Sequence, residues 1–340
     1  MMRLKKIIGV LLLVSFSFVL VIGCRSGSKE AYPNQNINGI IPWGAGGETD
    51  TLDRTIVPLV EPILGTKIIL SNKTGATGTI GTQYVYEQKA DGYTLLFNAE
   101  NPGIYEVLGL SNLDYGDFIP IMVMAKAIGV LVVNSDSPYQ TYPDLINAMK
   151  NEKVKTGSSG VGALPFNSFS LVKKIENVEP NYVTYDGGGP LTTALLGNQV
   201  DSAVVGISTA LQYIKNGDLR ALAVFSNEPV ELIKDVPTIT SFNPAYEPYM
   251  ANWGPHYTVA VHKDTPQEAV DKLVSAFREA AQSAKFQDFC NVNGYIPLGL
   301  TGQDAMDFLK KWQSETSWIL HEVGATKESP EKFGIPKPNY

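Results

Sequence analysis

Cysteine is scarce in this chain of 340 residues: Cys24 and Cys290 are the only two, which excludes a disulfide-held scaffold. Three histidines leave little material for a histidine-rich metal centre. Positive charge is also short, with 27 Lys and Arg against 34 Asp and Glu, for a net charge of −7. That balance lacks the basic footprint of a nucleic-acid-binding protein. At 44% hydrophobic and 18% charged, the composition excludes a disordered chain. No low-complexity tract or short repeat occurs. The length, at roughly 150 residues per domain, points to two domains held by core packing.

The one long apolar run stands at the start. Arg3, Lys5 and Lys6 precede an uncharged stretch, 7–22, which stops at Gly23-Cys24 and gives way to polar Arg25-Ser26-Gly27-Ser28. A basic start, an apolar core and a small residue before the cleavage point are the parts of a secretory signal. The stretch is shorter than the ~20 residues of a bilayer span. Val21-Ile22-Gly23-Cys24 resembles a bacterial lipobox. Residues 1–23 are therefore expected to be a lipoprotein signal peptide, Cys24 the lipidated residue and 24–35 a tether. This sets the protein outside the cytoplasm, anchored to the cell membrane. The other reading is a plain N-terminal membrane anchor with an incidental cysteine. Loss of 1–23 removes three positive charges and no acid, taking −7 to −10.

The body alternates strand and helix patterns. Short apolar runs at 37–41, 67–71 and 93–97 predict strands. Between the first two, apolar residues at 52, 56, 59, 60, 63 and 64 predict a helix over 50–64, with Pro58 kinking it. Thr141 followed by Asp144 predicts a capped helix over 142–150. Strands follow near 154–157, 182–185, 202–205 and 221–225, and helices over 267–285 and 302–323. Alternation with short loops argues for an α/β protein with parallel sheets. Two β-branched runs, 128–134 and 257–262, each end in a turn containing proline. They read as crossover strands, giving a discontinuous first domain, 36–132 with 258–340, and a second, 133–257, inserted in it.

Three glycine-rich loops each follow a predicted strand. They are Pro42-Trp43-Gly44-Ala45-Gly46-Gly47-Glu48-Thr49-Asp50, Gly157-Ser158-Ser159-Gly160-Val161-Gly162 and Tyr185-Asp186-Gly187-Gly188-Gly189-Pro190. Glycine lets a backbone approach a ligand and turn its amides inward. A helix start behind such a loop adds unpaired N–H donors and a partial positive charge. Ser158, Ser159 and Thr49 can add hydroxyls. One such loop alone would be an ordinary strand-to-helix turn; three predict a shared carboxylate site beyond the strand ends. Glu48, Asp50 and Asp53 either complement the dipole of the first helix or meet a cationic group on a ligand. Trp43 is either a wall of the site or a core residue.

The first of these loops, with Arg54 one turn on, resembles the opening motif of the Bug receptors, the solute-binding proteins of tripartite tricarboxylate transporters. The resemblance extends through Asn72-Lys73-Thr74-Gly75-Ala76-Thr77-Gly78, Ala90-Asp91-Gly92-Tyr93-Thr94-Leu95-Leu96, the second and third loops, and Asp235-Val236-Pro237-Thr238. It implies a periplasmic-binding-protein, or Venus-flytrap, fold: two α/β domains joined by two crossover strands and closing over a small carboxylate. It implies membrane permease subunits as partners, a monomeric receptor, and neither cofactor nor metal. Carried over, the carboxylate is gripped by Ala45, Gly46, Gly47, Thr49 and Asp50 on one lobe and Ser158, Ser159, Gly160 and Val161 on the other. Tyr185, Asp186, Gly187, Asn98 and Ser208 line the rest. Two departures stand out. Glu48 replaces an expected small residue, and Ala163-Leu164-Pro165-Phe166-Asn167 replaces further serines and a histidine. An amino-bearing or aromatic monocarboxylate suits Glu48, Trp43 and Phe166 better than citrate.

Two other functions share part of this pattern. A receptor feeding a sensor would show the same residues. A serine hydrolase is the alternative from another class, but Gly157-Ser158-Ser159-Gly160 lacks the second glycine of a nucleophile elbow. His256, His262 and His321 sit in no general-base motif. No nucleotide, zinc or calcium motif occurs. The acidic balance predicts unsteered capture of an anion: stopped-flow association rates should rise with added salt, and a steep fall would contradict this.

Overall fold

The computed structural model describes residues 31–185 and 187–339. The expected signal peptide and Cys24 lie outside them, as does Asp186. Residues 35–340 form one compact unit built on two sheets. The first has the order β11-β4-β10-β3-β1-β2, and the second β7-β6-β8-β5-β9. In chain order these strands are β1 (Ile37–Ile41), β2 (Ile68–Asn72), β3 (Thr94–Asn98), β4 (Phe118–Ala127), β5 (Gly129–Asn134), β6 (Lys155–Ser158), β7 (Asn181–Thr184), β8 (Ser202–Gly206), β9 (Leu219–Val224), β10 (His256–His262) and β11 (Tyr295–Leu300).

The two sheets repeat one plan. In the first, β1 lies between β2 and β3, both parallel to it, and antiparallel β10 follows β3. In the second, β6 lies between β7 and β8, both parallel to it, and antiparallel β5 follows β8. The antiparallel strand is in each case the one that arrives from the other lobe. Only Ile128 separates β4, in the first sheet, from β5, in the second.

Helices cover the sheets. They are α1 (Glu48–Leu64), α2 (Thr79–Tyr86), α3 (Tyr142–Asn151), α4 (Leu164–Glu176), α5 (Gly188–Leu196), α6 (Ile207–Asn216), α7 (Gln267–Gln282), α8 (Ala284–Asn293) and α9 (Gly302–Glu322). Period-two alternation along β5 explains how one strand serves two cores. Leu131 and Val133 point to a cluster with Phe169, Phe225 and Trp253. Val130 and Val132 point the other way, to Leu191, Leu195 and Ile207. Each fully buried side chain of this kind contributes roughly 1.5–3 kcal/mol.

The expected capping box is present: the Thr141 hydroxyl accepts from the Asp144 amide, and Asp144 accepts from the Thr141 amide. The helix around Pro58 holds as a single element, with Pro62 inside it as well. The helix expected over 267–285 is two, divided where the Ser283 hydroxyl accepts from the Phe286 amide and caps the second. Strand β4 was not expected, because Pro120 stands inside it and both faces are buried, so no alternation shows. The pairing explains how the proline is tolerated. Val259 pairs with Met122 and Ala260 with Pro120, so Ile121 is skipped in a bulge.

Gly39, in β1 between β2 and β3, has no space for a side chain. A Cβ there would lie 2.5 Å from Leu70 and 2.8 Å from Phe97. Gly39→Ala is expected to destabilise the protein by about 1–3 kcal/mol through overpacking, measured by urea denaturation.

Candidate functional site

The carboxyl ends of the parallel strands in both sheets open onto one cleft of about 770 Å³, counting its solvent-open part. This is the position at which open α/β sheets hold ligands. The segments after β1, β3, β6, β7 and β8 line it, joined by Pro255 and Tyr257 at the start of β10. Segments behind the two sheets meet around it: the Asn101 side-chain amide donates to the Gly162 main-chain carbonyl at 3.0 Å.

Four helices of nine residues or more begin at this cleft, and none is capped by the side chain of its own N-cap residue. The N-caps are Gly47 for α1, Ala163 for α4, Gly187 for α5 and Gly206 for α6. Each helix start leaves its first amides without intrahelical partners and carries a partial positive charge. Glycine and alanine bring no hydroxyl or carboxylate to fill that role.

Asp50 builds the first loop. Its carboxylate accepts from the Gly46 amide at 2.9 Å, from Arg54 Nε at 2.9 Å and from Asn72 Nδ2 at 2.8 Å. Burial pushes this carboxyl up, but the bonds from Arg54, Gly46 and Asn72 outweigh it and hold the pKa below the ordinary value. Trp43 lines the cleft, and its indole Nε1 donates to Asn98 Oδ1 at 2.9 Å. Asn98 itself is buried behind the wall, donating to Thr82 Oγ1.

Glu48 stands in the first turn of α1 but does not stay beside it. Its carboxylate leaves α1 and crosses to the start of α6. There it accepts from the Ser208 hydroxyl, from the Tyr257 hydroxyl at 3.0 Å, and from the hydroxyl and amide of Thr209. Burial raises its pKa, and these four donors oppose the shift. Tyr295 donates to the Glu48 carbonyl at 3.3 Å. A Cβ on Gly206 would collide with the Glu48 carboxylate. The acid therefore sits where only glycine leaves room.

Of the residues expected in the site, Trp43, Ala45, Gly47, Glu48, Thr49, Ser159 and Gly187 line the cleft. Asp186 lies outside the described residues, and the others are not part of the lining. Gly46 and Asp50 shape the loop, and Ser208 holds Glu48. Ser158 Oγ accepts from the Gly160 amide at 3.2 Å, and Val161 is exposed. Phe166 stacks on Tyr182 with ring centroids 4.7 Å apart. Tyr185 packs on the second-lobe core.

Sequence reasoning missed Glu100, Thr209 and Tyr257, all in the cleft wall. Glu100 stands two residues beyond the end of β3, a position that the strand pattern alone marks as the ligand edge. It is 2% exposed, and its Oε2 has no partner among the described residues. Burial, reinforced by the Glu48 charge, pushes its pKa from the ordinary 4.5 up to about 8, against bonds from its own and the His256 amides. Asp53 is also buried with both oxygens unpartnered, and its pKa is raised well above the ordinary carboxyl value by burial and by Asp50. It is not part of the cleft lining.

Among the described residues that line the cleft there is no His or Cys. The hydrogen bonds of the histidines run to Tyr115, to the Asp264 amide and to Thr326. Burial holds His256 down at about 3. Among the described residues no cluster of three metal-ligating side chains occurs, and no helix is long and apolar enough to cross a membrane.

Residues 53–325 match the profile of the family described as tripartite tricarboxylate transporter family receptor. The chain is 26% identical to protein BugT of Bordetella pertussis over 332 residues, 96% of this chain and 98% of that one. Among solved structures it is similar to the periplasmic binding protein BugD, with a TM-score of 0.79 and 26% identity, covering 87% of this chain and all of that one. MatC from Rhodopseudomonas palustris with bound malate shares the fold, with a TM-score of 0.75, 23% identity and coverage of 86% and 99%.

Glu100 gives the site a pH signature. With a pKa raised in the folded state, the native protein holds a proton that the unfolded chain has lost, so stability falls as pH rises between about 4.5 and 8. Glu100→Gln removes this loss. Its denaturation midpoint, relative to the parent protein, should climb steadily across that window, and a constant difference would contradict the assignment.

Proposed function

The chain belongs to the tripartite tricarboxylate transporter receptor family, and from that premise we propose that it is an extracytoplasmic receptor for a small carboxylate. The observation that carries this reading is the set of helix starts at one cleft. The first turns of α1, α4 and α5 bring amides to the same space from both lobes without a capping side chain. A carboxylate supplies the missing acceptors and the opposite charge. Malate in MatC is a ligand of this chemical class in a protein sharing the fold.

The ligand engages the first lobe at the start of α1, and the second lobe adds its donors as the lobes close. Residues 36–132 with 258–340, and 133–257, move as the two bodies. Ligand shifts the population toward the closed form by its difference in affinity for the two states. The closed form then presents its cargo to the permease subunits of a tripartite transporter. Cys24 carries the lipid that keeps the receptor, a monomer, at the membrane. The receptor acts by binding, without turnover of its ligand.

Thermal melting against a panel of mono-, di- and tricarboxylates tests this. At least one acid should give a saturable stabilisation, about 2.7 kcal/mol at one hundred times its Kd, with one molecule bound per chain and none consumed. A panel in which amines or sugars stabilise and no carboxylate does would overturn it.

A further inference from the structure

Three of the four helix starts in the cleft await an acceptor, and the fourth already has one. The start of α6 is filled by Glu48, a carboxylate delivered from the opposite lobe. The fit is close. Ser208 and Tyr257 each donate to one carboxylate oxygen, Thr209 adds its amide and hydroxyl, and Gly206 is bare where a Cβ would strike Glu48. The donors at the start of α6 are thus consumed by the protein's own side chain.

The rest of the cleft gives a second ligand carboxylate no welcome. Among the described lining residues there is no Lys, Arg or His to receive it, while Glu48 already fills the start of α6. Between the open helix starts and Glu48 the wall is largely apolar, with Trp43, Leu164, Pro165, Leu191 and Val205. A second carboxylate would lose its water, meet the Glu48 carboxylate and find the α6 donors taken.

We propose that Glu48 is a specificity-determining residue that supplies the second carboxylate itself, so that this cleft selects a monocarboxylate with an uncharged body over the matching dicarboxylate. The inference rests on the carboxylate reading above and narrows it. Glu48 joins the lobes through bonds that a dicarboxylate would otherwise have to make, and leaves the ligand one carboxylate for the starts of α1, α4 and α5.

Isothermal titration with matched acids tests it: butyrate against succinate, valerate against glutarate, hexanoate against adipate, and benzoate against terephthalate. The protein should bind the monocarboxylate of its best pair at least tenfold more tightly. Glu48→Ala frees Ser208 and Thr209 and should narrow or reverse that ratio by tenfold or more. Equal or tighter binding of the dicarboxylate by the unaltered protein would overturn the inference, whether or not the variant folds. An unchanged ratio in a folded Glu48→Ala variant would overturn it too. Failure of every acid to bind either protein would overturn the carboxylate reading itself, and this inference with it.

Discussion

An α-helix cannot satisfy its own first amides, and the structure of this protein depends on where it points them. Two sheets of the same plan set the carboxyl ends of their parallel strands face to face, and the helices that follow begin at a shared cleft. Their N-cap residues are glycine or alanine, which leave the amides open. Loop composition, strand order and cleft chemistry thus have one cause. Each strand must end close to the ligand, and the chain must turn there without covering its own donors.

This resolves the conflict between an acidic chain and an anionic ligand. The net charge of −7 sets the far field, but a carboxylate in a low-dielectric cleft responds to the dipoles beside it. The same constraint explains Glu48. A carboxylate is as good a cap for α6 when it comes from α1 as when it comes from a ligand. Its burial is stabilised by four donors, whereas Glu100, close by, lacks such a set and stays protonated near neutral pH.

Much of the fold was legible because the β strands near the cleft are short, apolar and closed by glycine. The strand ends expected at 41, 97, 157 and 205 fall within one residue of those observed, and the helix behind the first loop was legible from its apolar spacing. Strand β4 was hidden by Pro120, which pairs with Ala260 beside a bulge at Ile121 that only pairing reveals. The site was legible as loops and less so as side chains. Asp50 stands in the loop sequence beside Glu48, yet one folds back on Gly46 while the other crosses the cleft. Thr209 and Tyr257 enter the site through Glu48, from positions far along the chain, so no local pattern marks them. Phe166, in the first turn of α4, packs on Tyr182, and Val161, in the loop before it, is exposed.

The central claim is that the ligand's carboxylate takes the open helix starts while Glu48 keeps the start of α6. A crystal structure of the receptor with its tightest-binding carboxylate tests this most directly. The account predicts ligand oxygens within hydrogen-bond distance of the first amides of α1 and of at least one of α4 and α5, with Glu48 still held by Ser208 and Tyr257. Ligand oxygens on Ser208 and Thr209, with Glu48 displaced, would contradict it.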